Sequence, residues 1–244
     1  MIDAFLAGAL AASSLVIGAA IALIHRVGER TLGLIMAFGA GVLISAIAYD
    51  LVAEAYATAG GSGITAGMFA GAITFFVGDL LIDRAGGADR KASTRSESGS
   101  AKAILLGTVL DGIPESVVVG LTLLSGDGLS IAVVAAVFLS NLPEAIAATT
   151  GFVSDGISPA RILLLWTAVA LVSAAAAALG YAALGDAGPG LVASVEAFAA
   201  GAILTMLADT MMPEAFRHGG PVAGLVTTLG FVLAFGLSVL ERSA

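Results

Sequence analysis

The chain contains no cysteine, one tryptophan and two histidines, and only 11% of its 244 residues are charged. Without cysteine, disulfides and thiolate metal sites are both excluded. With so few charges and 59% hydrophobic residues, a water-soluble domain of this length could not cover its surface. The net charge of −8 offers no electrostatic reason to expect a nucleic-acid partner. Also missing are a phosphate-binding glycine loop, a Ser/His/Asp constellation and a Cys/His cluster. Gly60-Gly61-Ser62-Gly63 has no lysine after it and reads as a turn. No enzyme activity and no prosthetic cofactor are therefore expected, and any transport would draw on an ion gradient or protons rather than ATP. Neither a basic leader nor an A-x-A cleavage site accompanies the first apolar run, so that run is expected to remain as a span.

What is present is a succession of apolar runs, each about 20 residues long and so able to cross a hydrocarbon core of roughly 30 Å. Polar or glycine-rich punctuation divides the chain into eight predicted spans. They are Ala4–Ile24, Thr31–Ala55, Ile64–Asp83, Ala101–Leu124, Leu129–Phe152, Pro159–Leu184, Leu191–Glu214 and Pro221–Leu240. The 32 glycines suit close helix approach in lipid, as in Gly67-x-x-x-Gly71. The expectation is an all-α integral membrane protein, a single domain over residues 1–244 embedded in the bilayer. Its one long polar connection, Arg84–Ser100, is expected to be a mobile cytoplasmic loop.

Positive charge sets the orientation. Arg26 and Arg30 lie in the first connection, and Arg84, Arg90, Lys91, Arg95 and Lys102 in or beside the third. Arg161 flanks the fifth and Arg217 lies in the seventh, leaving Arg242 alone on the other side. The positive-inside rule makes the crowded side cytoplasmic, with both termini outside the plasma (inner) membrane.

Two spans read alike 160 residues apart. Ala37-Phe38-Gly39-Ala40-Gly41 matches Ala197-Phe198-Ala199-Ala200-Gly201, and Glu54-Ala55-Tyr56 matches Glu214-Ala215-Phe216. An odd number of spans separates the copies, so they cross in opposite senses. An inverted repeat is predicted, relating helices 1–3 to helices 6–8 around a central helix 4/5 pair, a pattern of secondary transporters.

Ionisable groups sit deep in the fourth and fifth spans, in Asp111-Gly112-Ile113-Pro114-Glu115-Ser116 and Ser140-Asn141-Leu142-Pro143-Glu144-Ala145. Asp111 and Glu115 are four apart and share a helix face, as do Ser140 and Glu144, with Asn141 close to the latter. Burying such carboxylates costs several kcal/mol each unless a cation, a proton or water compensates. No lysine or arginine lies within either span to do so, Lys102 standing at its edge. Each proline frees the carbonyl four residues earlier, at Leu110 and Leu139. Carboxylates and loosened carbonyls together suit a hard divalent cation, with Asp111, Glu115, Asn141, Glu144 and Ser140 as candidate ligands. Protonated carboxyls hydrogen-bonded between helices are the alternative. Asp50 and Glu54 are candidates for the outer entrance, and Glu214 and His218 for the inner exit, each pair being four apart. Asp209 and Asp79 are candidate proton-relay groups, and His25 reads as a membrane-edge flank.

These two motifs resemble the paired fourth- and fifth-span motifs of the Zrt/Irt-like (ZIP) divalent-metal transporters. The resemblance extends along essentially the whole chain: eight spans, external termini, a polar loop after the third span and Ala/Gly-rich second and seventh spans. It implies a two-metal centre between the fourth and fifth spans and, as is common in that family, a homodimer. By position, Asp111 stands where the family usually has a metal-binding histidine, and Gly112 where it has asparagine. Pro114, Glu115, Asn141, Pro143 and Glu144 match, Ser140 replaces His or Gln, and Ser116 and Ala145 replace the glycines that commonly follow. The long loop lacks histidine. An all-oxygen donor set shifts the expected cargo from zinc towards manganese, iron(II) or magnesium, or towards a weaker zinc site. With Gly112 and no sixth-span carboxylate, one of the two sites is expected to be lost or degraded. The expected function is divalent-metal uptake by a ZIP-like permease. The alternative is a ZIP-like binding or regulatory membrane protein that no longer transports.

Overall fold

Long apolar segments and glycine-marked breaks produce an all-helical chain. The structure, a computed structural model, describes residues 1–82, 84, 101–124 and 128–243, with the backbone alone for 101–106. Among the described residues the chain forms eight helical rods and no strand. They are α1 (Ile2–Ile24), α2 (Glu29–Ala59), α3 (Gly61–Ile82), α4 (Ala101–Thr122), α5 (Ile131–Ser154), α6 (Pro159–Leu184), α7 (residues 189–219) and α8 (Ala223–Ser243). Six stretches are long and apolar enough to cross a membrane, the longest, Pro189–Ser243, containing both α7 and α8. This is a multi-pass, all-α membrane protein. The expected polar loop lies, apart from Arg84, outside the described residues.

The breaks have local causes. Pro159 and Pro189 open α6 and α7, where a missing N–H costs nothing. Ser130 caps α5 by accepting the Val133 N–H at 3.2 Å. Gly60 and Gly220, themselves 160 residues apart, turn the chain after α2 and α7 with φ of 75° and 67°. The rods differ from the predicted spans mainly at their ends, α2 running four residues further at its C-terminus and α7 five.

Two features were not expected. The second and seventh rods are each interrupted by a π-helical stretch, Ala46–Val52 in α2 and Leu207–Met211 in α7. A π turn takes in an extra residue and rotates everything beyond it relative to the α-helical faces.

The rods pair by close backbone approach. α2 and α8 run parallel, Gly41 lying against Thr227 early in α8 and Asp50 against Ser238 nearer its end. α3 and α7 also run parallel, with Gly67 against Ser194 and Gly71 against Phe198. The crossings match in detail. A methyl group on Gly41 would fall on the Thr227 carbonyl oxygen, and one on Gly201 on that of Met68. Likewise Gly230 meets the Phe38 carbonyl and Gly71 that of Phe198. Small residues permit this contact, which is how helices associate where lipid removes the hydrophobic drive.

Alanine-rich faces of α2, α5 and α7, including Ala37, Ala40, Ala136, Ala199 and Ala200, form the main core. A second core joins α1, α5 and α6 around Trp166. Its indole N–H donates to Thr149 Oγ1 at 2.8 Å, and its ring lies 6.1 Å from that of Phe152. α5 therefore stands between the two cores, and that position buries its polar motif.

Candidate metal centre

α4 and α5 both continue through their prolines, Pro114 and Pro143. Each proline lacks an N–H and leaves a carbonyl without its helical partner. On α5 that carbonyl is Leu139, and Gly39 of α2 packs against it. A Cβ at Gly39 would stand 3.0 Å from the oxygen. The break in α5 is thus faced by backbone rather than by a side chain.

At the next residue, Ser140, the two motifs meet. The Ser140 hydroxyl lies 3.1 Å from Glu115 Oε1 and 3.0 Å from the Val137 carbonyl, so its single proton is shared between two acceptors. Glu115 is 1% exposed and Ser140 wholly buried, while Asn141 is buried and Asp111 and Glu144 are half-buried. Asp111 and Glu115 lie within electrostatic range of each other, and both act on Glu144. Glu214 of α7 also acts on Glu144. The structure thus gathers oxygen donors from α4 and α5, with a further carboxylate from α7. Among the described residues, no three His, Cys, Asp or Glu side chains stand close enough together to chelate a metal as they are.

The entrance and exit candidates fall in different settings. Asp50 is buried in the π stretch of α2, accepting from Ser238 Oγ at 2.9 Å and facing Arg242. Glu54 is half-buried one turn beyond. Glu214 is buried, with Arg217 beside it, and His218 Nδ1 lies 3.6 Å from Glu29 Oε2. Of the two exit candidates, His218 thus neighbours Glu29 of α2, and Glu214 acts on Glu144 of α5. Asp209 lies in the π stretch of α7 and is exposed on the surface of the chain. Asp79 is buried.

Sequence reasoning passed over Glu196, Ser238 and Glu241, and used Arg242 for orientation alone. Glu196 is 5% exposed in α7 and lies within electrostatic range of Glu54. An ionisable residue inside an apolar run was the signal that could have found it. Glu241 accepts the Ile131 N–H at 2.9 Å and lies 3.3 Å from Ser130 Oγ, joining the end of α8 to the start of α5. No spacing rule reaches across that sequence distance.

The fold and these buried carboxylates define a multi-pass membrane protein with a polar centre. No protein-family profile matches the chain. Over 191 residues, 78% of its length, it is 24% identical to an Arabidopsis thaliana protein named "Putative zinc transporter". The chain spans 30% of that relative's length.

Proposed function

We propose that the protein is a ZIP-like permease that moves a divalent metal cation inward across the plasma membrane. The observation that carries this reading is the meeting of Ser140 and Glu115 across α4 and α5, with Asp111 and Glu144 alongside and Asn141 buried next to them. Buried carboxylates that repel one another are stabilised by a bound cation, by a proton or by water, and the interiors of both spans carry no lysine or arginine. The name of the distant relative points the same way. Carboxylate, amide and hydroxyl oxygens suit manganese, iron(II), magnesium or weakly held zinc.

In this reading all eight rods cross the bilayer, with both termini outside. Helices 1–3 and 6–8 are an inverted repeat about the α4/α5 pair. Support comes from three features spaced 159 to 161 residues apart: the π stretches of α2 and α7, the turns at Gly60 and Gly220, and the reciprocal glycine–carbonyl crossings. Parallel pairing of α2 with α8 and of α3 with α7 fits alternating crossings. Metal enters past Asp50 and Glu54, dehydrates at Asp111, Glu115, Asn141, Glu144 and Ser140, and leaves past Glu214 and His218. Alternating access comes from rocking of α2 and α7 against α4 and α5, the π turns serving as flexible points. A homodimer completes the assembly.

The test is equilibrium binding of Zn, Mn, Fe(II), Co, Cd and Mg to the purified chain and its Glu115→Ala variant, followed by uptake into proteoliposomes. Saturable binding lost in the variant, with uptake lost in Glu115→Ala/Glu144→Ala, is expected. Unaltered uptake of every metal in the double variant would falsify the pathway. The motif departures at Asp111 and Gly112 favour a second reading, a ZIP-like scaffold that no longer transports. Metal binding without uptake, or no binding at all, is its signature.

A further inference from the structure

At the end of the molecule where α8 finishes, Arg242 reaches over the π stretch of α2. Its Nη2 donates to the carbonyl of Tyr49 and stands 3.4 Å from Asp50 Oδ1. The other carboxylate oxygen of Asp50 accepts from Ser238 Oγ at 2.9 Å. Tyr49 is fixed there by its ring, which packs 4.7 Å from Phe235 and 6.1 Å from Phe231. One cationic nitrogen is therefore met by a carboxylate and a backbone carbonyl, with a hydroxyl immediately behind the carboxylate. That donor set is what a hard divalent cation takes from proteins. The site is also unevenly wet. Asp50 is 8% exposed, whereas the Arg242 side chain is 47% exposed and has solvent to withdraw into.

We propose that Asp50, the Tyr49 carbonyl and Ser238 form a second, outer cation-binding site, and that Arg242 is its resident occupant, displaced by an arriving divalent cation. The energetics fit an exchange. An ion pair with a half-exposed arginine is weak, so its release is cheap. A buried carboxylate left bare is expensive, so Asp50 gives up one cation only for another. Glu54 and Glu241 lie within electrostatic range of Asp50 and raise the local concentration of positive ions. Arg242 also supplies selectivity: a monovalent cation gains too little from one carboxylate to replace a guanidinium held at two oxygens. The exchange belongs to the permease reading, as the first step of entry, yet binding at this site is measurable without transport.

The experiment is Mn2+ binding to the purified full chain, read by the electron paramagnetic resonance signal of free Mn2+. It is done in a Glu115→Ala/Glu144→Ala background so that the central site is silent. Arg242→Gln is expected to tighten Mn2+ binding about fivefold, the size of a weak ion pair removed as competitor. Adding Asp50→Asn is expected to abolish that binding, and Arg242→Lys to tighten it less than Arg242→Gln does. Unchanged affinity in Arg242→Gln, or binding that survives Asp50→Asn, overturns the proposal. Ser238→Ala keeps Arg242 in place and covers the case in which Arg242→Gln does not fold. There, weakened Mn2+ binding supports the site and undiminished binding overturns it. A wild-type chain that binds Mn2+ at Asp50 but not at Glu115 sinks the central site and leaves this one standing.

Discussion

Single buried polar atoms decide which side chains here can be changed without cost. The indole N–H of Trp166 ends on Thr149 in a fully buried position. Thr149→Val keeps the shape and removes the acceptor, so it should cost about 1–3 kcal/mol, seen as a lower thermal midpoint in detergent. Ser45 is the opposite case. Its hydroxyl is buried with no hydrogen-bond partner among the described residues. Ser45→Ala removes a group that gains nothing from burial, and the protein should unfold at the same or a higher temperature. A clear loss of stability would mean that the hydroxyl has a partner, such as a bound cation or water. Ser140→Ala leaves every carboxylate in place but takes a donor from Glu115. It should weaken metal binding by roughly 0.5–1.5 kcal/mol, whereas Glu115→Ala should abolish it. The candidate carboxylates were legible in the sequence because charge inside an apolar run is conspicuous. Ser140 was legible as a candidate ligand as well, but that its hydroxyl joins the two motifs became evident only with α4 and α5 in contact.

Among the elements, helix contact depends on glycine at particular places. Gly41→Ala and Gly201→Ala each push a methyl group onto the backbone of a crossing helix. Each should cost about 1–3 kcal/mol or more, because backbone cannot move aside as a side chain can. Gly224 and Gly236 of α8 have nothing within reach of an added Cβ. Gly224→Ala and Gly236→Ala should each be neutral or stabilise by up to about 1 kcal/mol, which a denaturation series on the four variants would reveal. Equal losses at all four would argue against the observed crossings. The existence of most helices was readable from run length and from Pro and Gly punctuation, and α6 has the predicted ends. The π stretches were not readable. In an almost wholly apolar segment, one extra residue per turn disturbs no hydrophobic pattern, so Asp50 could not be assigned its neighbours.

For the whole molecule, the absence of cysteine makes topology directly measurable. Asp186 and Asp155 are both exposed, in the connections before α7 and after α5. In intact cells, Asp186→Cys should react with a membrane-impermeant maleimide and Asp155→Cys should not, until the membrane is opened. The reverse pattern would invert the proposed orientation and with it the direction of entry. Composition by itself determined that the chain lives in a bilayer, since no arrangement of these residues yields a polar surface. Run lengths determined that it is helical, since a helix satisfies its own backbone in lipid. Sequence also marked Asp111, Glu115 and Glu144, because charge in hydrocarbon is costly wherever it lies. The tertiary structure decided which of these groups face one another. It brought Glu214 within electrostatic range of Glu144, His218 to Glu29, and Arg242 onto Asp50. Those pairings join residues up to 192 positions apart. They follow from helix crossings set by a few glycine contacts and from two π turns, and hydropathy carries no record of either.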